Sequence, residues 1–252
     1  VLILKDKGER LVKSIPFVSY DFFGYLASGL VVVTAFAFIQ DAEWVLTGEI
    51  QPVYASLGVV LIYVVGQVVA TPAAWLYERL LVKRLLGKPE ALLFSEQGTK
   101  GWKKLFFEYF EPLTPGIRTS VLRKAEHYGV ESPGRELFEM VWGQLKGKEA
   151  LQSRLSTFLN NYGFARNMSF ACLVAGLLIL GDWLFGMASQ PSHSITWGWA
   201  SLALSVGLLY RYLKFYRLYT YELFVTYSQI PLERGGINGM KLEEQEEVAH
   251  GN

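Results

Sequence analysis

Three histidines and one cysteine are the side chains best suited to metal binding, acid–base work or nucleophilic attack. They are scattered. His127 falls in a long basic segment, His193 in a short polar loop and His250 in an acidic tail. A four-coordinate metal needs its ligands gathered, and this spacing does not gather them, so neither metal nor cofactor is expected. Cys172 sits in an apolar run, where a free cysteine packs as a small hydrophobe. A single cysteine excludes an internal disulfide and any multi-cysteine site. Arg123 and His127 lie one helical turn apart in RKAEH, closer than nuclease Arg/His pairs use, and read as a helix-surface pair. Ser120, Ser153 and Ser156 have no base at a telling spacing, and neither a G-x-S-x-G elbow nor a phosphate-cradling glycine loop is present. The expectation is a protein that is not an enzyme.

More chemistry resides in polar residues inside apolar runs, where an ionisable group is costly. Asp182 interrupts the run Met168–Ala188 toward its outer end, about 21 Å of helical rise from Met168. It reads either as part of an ion site at an outer vestibule or as an interfacial acid with access to water. Gln67 lies inside a second run, five residues before Pro72. An amide there seeks an interhelical hydrogen bond, and Pro72 is expected to kink its helix. Asp21 precedes the first run, where an acid suits a helix N-terminus.

These residues are set by four uncharged or nearly uncharged segments: Phe22–Ile39, Val53–Tyr77, Met168–Ala188 and Ile195–Tyr210. About 20 apolar residues cross a hydrocarbon core as a helix, and the fourth segment is short for the task. Lys5, Lys7, Arg10 and Lys13 precede the first segment without a small-residue cleavage site after it, so it reads as a retained span rather than a signal peptide. Loop 40–52 holds Asp41, Glu43 and Glu49 but no Lys or Arg, and loop 189–194 holds no charge beyond His193. Every Lys and Arg therefore falls on one side of a four-span arrangement, which predicts cytoplasmic termini. Trp44, Trp197 and Trp199 fall near the outer boundary, and Trp75, Tyr77, Tyr210 and Tyr212 near the inner one, as amphipathic rings prefer.

The expected organisation is a cytoplasmic segment 1–21, spans 1 and 2 over 22–77, a helical cytoplasmic domain 78–167, spans 3 and 4 over 168–210, a helix 211–234 continuing span 4, and a disordered acidic tail 235–252. Within the domain, Gly87 and Pro89 stop one helix, IRTSVLRKAEHYG reads as an amphipathic second, and Ser132 with Pro133 reads as the start of a third. Some 85 residues bury only a modest core, so this domain is expected to lean on a protein partner, a second copy or the membrane. Arg211, Lys214 and Arg217 recur on one face after the fourth span and suit anionic lipid headgroups. The formal net charge is +1, and no nucleic-acid role is expected. Small residues at four-residue spacing (Gly24 and Ser28, Gly66 and Ala70, Ala171 and Ala175, Ser201 and Ser205) allow close helix approach. The sequence leaves open whether this happens within one bundle or between copies.

YDFFGYL, opening the first span at Tyr20, and YGFARNMSF, leading into the third from Tyr162, resemble stretches in a loose group of uncharacterised bacterial four-span inner-membrane proteins. Some of that group sit in phage-defence or mobile-element neighbourhoods. The resemblance implies a bacterial inner-membrane location and carries no catalytic residue.

The expected fold is all-α: an integral membrane four-helix bundle with a small helical cytoplasmic insertion between spans 2 and 3. The expected function is that of a homo-oligomeric membrane component whose cytoplasmic module receives a signal or partner and perturbs the bilayer. An ion channel or transporter, and a lipid-acting enzyme, are the competing readings.

Overall fold

The structure is a computed structural model describing residues 19–42, 51–95, 101–130, 132–147 and 149–231. The basic N-terminal segment, the loop with Trp44, and the tail with Arg234, Lys241 and His250 lie outside them, as does the Asp21 side chain.

Regular structure among the described residues is entirely helical. Helix α1 spans Ser19–Ile39. Helix α2 spans Pro52–Ala74, with Pro52 supplying a pre-set φ at its start. Pro72 stays inside α2, and the helix then widens into a π-helical stretch, Trp75–Leu86. A proline removes one rung of the α ladder and crowds the preceding turn, and a wider helix is one way to absorb such an insult. Gly87, at φ 92°, ends it in the left-handed conformation that glycine adopts without strain.

Short helices follow: α3 Pro89–Leu92, a 3-10 turn Gly101–Phe106, and α4 Phe107–Phe110. Then come α5 Pro115–His127 and α6 Arg135–Leu145. The start of α6 differs from the sequence expectation. Ser132 and Pro133 form a turn, and Gly134 at φ 145° precedes the first helical residue, Arg135. Only glycine adopts that backbone readily, so the helix cannot begin at Pro133. The two longest helices are α7 Glu149–Leu184 and α8 Pro191–Gln229.

By length and composition, the helical run Pro52–Leu92, taken across Gly87, and helix Leu151–Leu184 are long and apolar enough to cross a membrane, and Gly24–Ile39 is apolar but shorter. Helix α8 is not among them. Its apolar part is brief and runs directly into Arg211 and Lys214.

The chain divides into two compact units. The first takes the described residues up to Leu86 and Thr157–Phe215; the second takes Gly87–Ser156 and the described residues from Tyr216.

In the first unit, α1 and α2 touch backbone to backbone. A Cβ added at Gly29 would sit 1.8 Å from the Ile62 carbonyl oxygen, and one at Gly66 would sit 1.9 Å from that of Tyr25. Helices α7 and α8 also approach at glycines, with Gly176 under the Leu202 side chain and Gly198 under that of Leu180. The buried positions are mostly small: Ser28, Ala35, Ala70, Ala73, Ala165, Ser169, Ala171, Ala175 and Ser205. At least one member of each small-residue pair found in the sequence is among them, buried within one chain. The exposed positions are large and apolar, among them Leu57, Val60, Val68, Leu177, Leu184, Trp197 and Leu204.

The second unit is built the opposite way. Leu93, Phe94, Leu113, Val121, Leu137, Val141, Leu145, Leu155, Leu223, Phe224 and Tyr227 form one buried cluster, with Phe94 edge-on to Phe224 at 5.0 Å. Apolar residues of α6 at Leu137, Val141 and Leu145 recur every four positions and are all fully buried.

Candidate functional site

Asp182 lines a cavity of about 430 Å³ at the end of the first unit where α1 ends and α8 begins. Its apolar lining includes Leu30, Val33, Phe38 and Ile62, and its polar lining includes Asp41, Asp182, Ser189, Gln190, His193 and Ser194. These polar residues come from helix ends and the turns beside them rather than from helix middles. Asp41 follows α1 in the left-handed conformation, φ 48°, which Asp tolerates better than most residues. The Ser189 hydroxyl donates to the Asp41 carboxylate and so ties the two turns together. Ser194 is buried at the start of α8 and donates to the Gln190 carbonyl at 3.2 Å. The cavity lining thus combines apolar side chains with two carboxylates and an imidazole. Among the described residues, no three His, Cys, Asp or Glu side chains are grouped to hold a metal ion.

At the opposite end of α7's share of this unit lies a polar network that the sequence did not reveal. The Arg166 guanidinium and the Tyr162 hydroxyl both donate to the same oxygen of Glu78. Arg166 also donates from Nε to Asn167 at 3.1 Å, and its guanidinium lies 5.6 Å from the Tyr162 ring centre. Tyr162 stacks on Tyr212 at 5.1 Å, and Tyr212 on Tyr77 at 5.8 Å. The Tyr77 hydroxyl shares a hydrogen bond with Ser169 at 2.9 Å. Ser169 and Ser205 each donate to the other's backbone carbonyl at 2.8 Å, which locks α7 to α8. Such hydrogen bonds join helices where water is excluded. Glu78 and Arg166 each look like an ordinary charge at the edge of an apolar run, and nothing in their local spacing announces a pair.

The other residues singled out from the sequence are dispersed. Gln67 donates to the Tyr63 hydroxyl at 2.9 Å, one turn back on its own helix rather than across to another. The Tyr63 ring rests on Phe22 and Tyr25 of α1, at 5.2 and 6.0 Å, so the amide reaches α1 only through tyrosine. Pro72 faces outward. Arg211 is exposed and lies 5.0 Å from the Phe215 ring centre. Lys214 is exposed as well. Arg217, in the second unit, is engaged by Glu111: it donates to the Glu111 carbonyl at 2.9 and 3.2 Å and to its carboxylate at 3.3 Å. Its guanidinium is therefore less available to a headgroup than its spacing implies.

Sequence reasoning also missed Lys124. It is buried in the second unit, and its ammonium donates to the carbonyls of Tyr227 and Ser228 at 2.9 and 2.7 Å and to that of Ile230. The first two are orphan carbonyls of the last turn of α8 and the third lies just past it, and a cation there also meets the negative end of the helix dipole. Burial, and then the neighbouring Arg123, push the Lys124 amine below its ordinary range. Burial, with Tyr128 nearby, pushes the Tyr227 phenol up to about 12.

No protein-family model, curated protein or solved structure matches the chain. What it does has to be argued from its own residues.

Proposed function

We propose that this chain is a four-span bacterial inner-membrane protein without catalytic activity. Its second unit is a cytoplasmic module that takes up a signal or partner, and its first unit responds within the bilayer. The observation that carries this reading is the inverted packing of the first unit, with Ala, Ser and Gly inside and Leu, Val and Trp outside. Water would penalise such an exterior heavily, whereas lipid tails favour it and leave small residues to bring the helices together. The second unit has a core of large apolar side chains, and the one-sided placement of Lys and Arg fits a cytoplasmic location for it. Membrane perturbation in an oligomer, including a role in phage defence, extends this reading.

The test uses Cys172, the only native cysteine. In a Cys172→Ala background, Ser192→Cys should react with a membrane-impermeant maleimide on intact spheroplasts. Ser153→Cys should react only after permeabilisation. Equal labelling of both sites on intact cells, or release of the protein by alkaline carbonate, would sink the four-span reading. The mass of the complex in nanodiscs then decides the oligomer: a discrete ring supports a multi-copy effector and a monomer removes it.

A second reading, an ion pathway, draws on the cavity at Asp41, Asp182 and His193. Its carboxylates would attract cations at an outer vestibule. Cation flux through reconstituted protein that falls with Asp182→Asn supports it, and flux unchanged by that substitution removes Asp182 from the pathway.

A further inference from the structure

The stretch Gly101–Phe110 has two chemically distinct sides. Tyr109 and Phe110 are buried in the second unit, edge-on to each other at 5.3 Å, and the Tyr109 hydroxyl donates to the Gly87 carbonyl at 2.8 Å. That fixes one side firmly. On the other, Leu105 and Phe107 are 70% and 61% exposed. They are accompanied by exposed Lys104 and by half-buried Lys103, whose stem leads over the edge of the element so that its ammonium lies 5.3 Å from the ring centre of buried Phe110. Of the nearby acids, Glu111 is taken up by Arg217, and Glu108 is half-buried. The exposed side is therefore apolar and cationic together.

We infer that Gly101–Phe110 is an interfacial docking element for an anionic lipid surface, with Leu105 and Phe107 entering the acyl boundary and Lys103 and Lys104 meeting phosphate headgroups. Charge complementarity selects this occupant. A neutral protein groove would accept Leu105 and Phe107 but gains nothing from two adjacent lysines, whereas the combination of apolar and basic side chains is what interfacial segments use. Each juxtamembrane lysine strengthens attraction to an anionic leaflet, and the attraction is screened by salt. Tyr109, bonded to the Gly87 carbonyl, holds the element against the first residue of the second unit. The inference rests on the four-span reading and adds to it a lipid-sensing contact in the cytoplasmic module.

The experiment places nitroxide labels singly in full-length Cys172→Ala protein in nanodiscs, at Leu105→Cys, at Leu177→Cys on the apolar exterior of α7, and at Glu126→Cys on an exposed surface of α5. Collisions with oxygen and with a water-soluble nickel chelate report lipid or water at each site. In nanodiscs with phosphatidylglycerol, position 105 should favour oxygen, as position 177 does, while position 126 stays aqueous. Replacing the anionic lipid with phosphatidylcholine, or Lys103 and Lys104 with glutamine, should lower the docked-to-free ratio at position 105 by about thirty-fold and leave position 177 unchanged. Water access at position 105 in both lipids, with position 177 in lipid, overturns the docking element and spares the four-span reading. Water access at position 177 overturns both. Lipid burial at position 105 that ignores both lipid charge and the lysine substitutions overturns the anionic specificity.

Discussion

Lys124 of α5 closes the end of α8 by donating to the backbone carbonyls of Tyr227 and Ser228, more than a hundred residues along the chain. The last turn of a helix leaves four carbonyls without intrahelical partners. Here one side chain serves two of them, and the carbonyl of Ile230 just beyond the helix, from a position buried on α5 alongside Val121 and Ala125. Lys124→Met keeps the stem and removes the donors. The expected cost is about 2 kcal/mol, concentrated at the end of α8. Hydrogen exchange at residues 222–230 should accelerate, with little change at Leu137–Leu145. Uniform acceleration across the second unit would show that Lys124 supports the core rather than the helix end.

The phenol of Tyr227 adds a pH dependence of definite sign. Its folded value is raised from 10.0 to about 12 by burial first and Tyr128 second. The stabilisation is complete below pH 10 and is lost as pH rises toward 12, because the unfolded chain releases its proton first. Lys124 works the other way: its folded value is lowered, so between that value and 10.5 the unfolded chain binds the extra proton and stability rises with pH across that window. Thermal scans of wild type and Tyr227→Phe should diverge above pH 10, with the variant losing less. Parallel curves would mean that the phenol is not held neutral by the fold.

The α1–α2 crossing predicts a steep steric rule. Gly66→Ala would place a methyl 1.9 Å from the Tyr25 carbonyl oxygen, and Gly29→Ala one 1.8 Å from that of Ile62. Both obstacles are backbone, so a rotamer change cannot relieve them. Overpacking costs about 1–3 kcal/mol where side chains can shift, and these sites fall at or beyond the top of that range. Gly58→Ala on the same helix meets nothing within 4 Å and gains about 1 kcal/mol of helix propensity. Detergent melts of the three variants should therefore split, two downward and one level or upward.

Much of this was legible in the sequence, and the remainder has a common cause. The helical segments announced themselves by uncharged length, and the small residues Ser28, Gly66, Ala171 and Ala175 by their spacing, because both signals are local. The partnerships were not local. Glu78 with Arg166, Ser169 with Ser205, and Lys124 with the end of α8 join residues on different helices. A single sequence gives each such residue a respectable local explanation, as helix-end charge or surface polarity. The start of α6 failed for another reason: Ser-Pro is a sound helix opening, but Gly134 at φ 145° intervenes.

Asp41 tests the cavity's architecture. Its left-handed backbone costs an ordinary residue about 1–2 kcal/mol, and its carboxylate receives the Ser189 hydroxyl. Asp41→Asn keeps an acceptor and tolerates the backbone, so it should be nearly neutral. Asp41→Gly relieves the backbone but loses the acceptor, and Asp41→Val loses both. The order of stability should be Asn, then Gly, then Val, with Ser189→Ala close to Gly. If Val matched Gly, the backbone strain would be absent and the turn would be held by other contacts.

The Glu78–Arg166 pair makes the sharpest claim about the first unit. Glu78 is shared by a guanidinium and a phenol, so removing Arg166 leaves a partly buried carboxylate with only Tyr162. A hydrogen bond to a charged group contributes about 1.5–3 kcal/mol. With Glu78 over a third exposed, the lower end applies after solvent screening, and Arg166→Ala should cost about 1.5 kcal/mol. Arg166→Lys should recover only part of that, because an ammonium cannot reach Glu78 and Asn167 together as the planar fork does. Glu78→Gln combined with Arg166→Ala should cost less than the sum of the two singles, since the second change removes a charge the first has already stranded. Strict additivity in that double-mutant cycle, measured by unfolding in mild detergent, would show that the two side chains meet without binding each other.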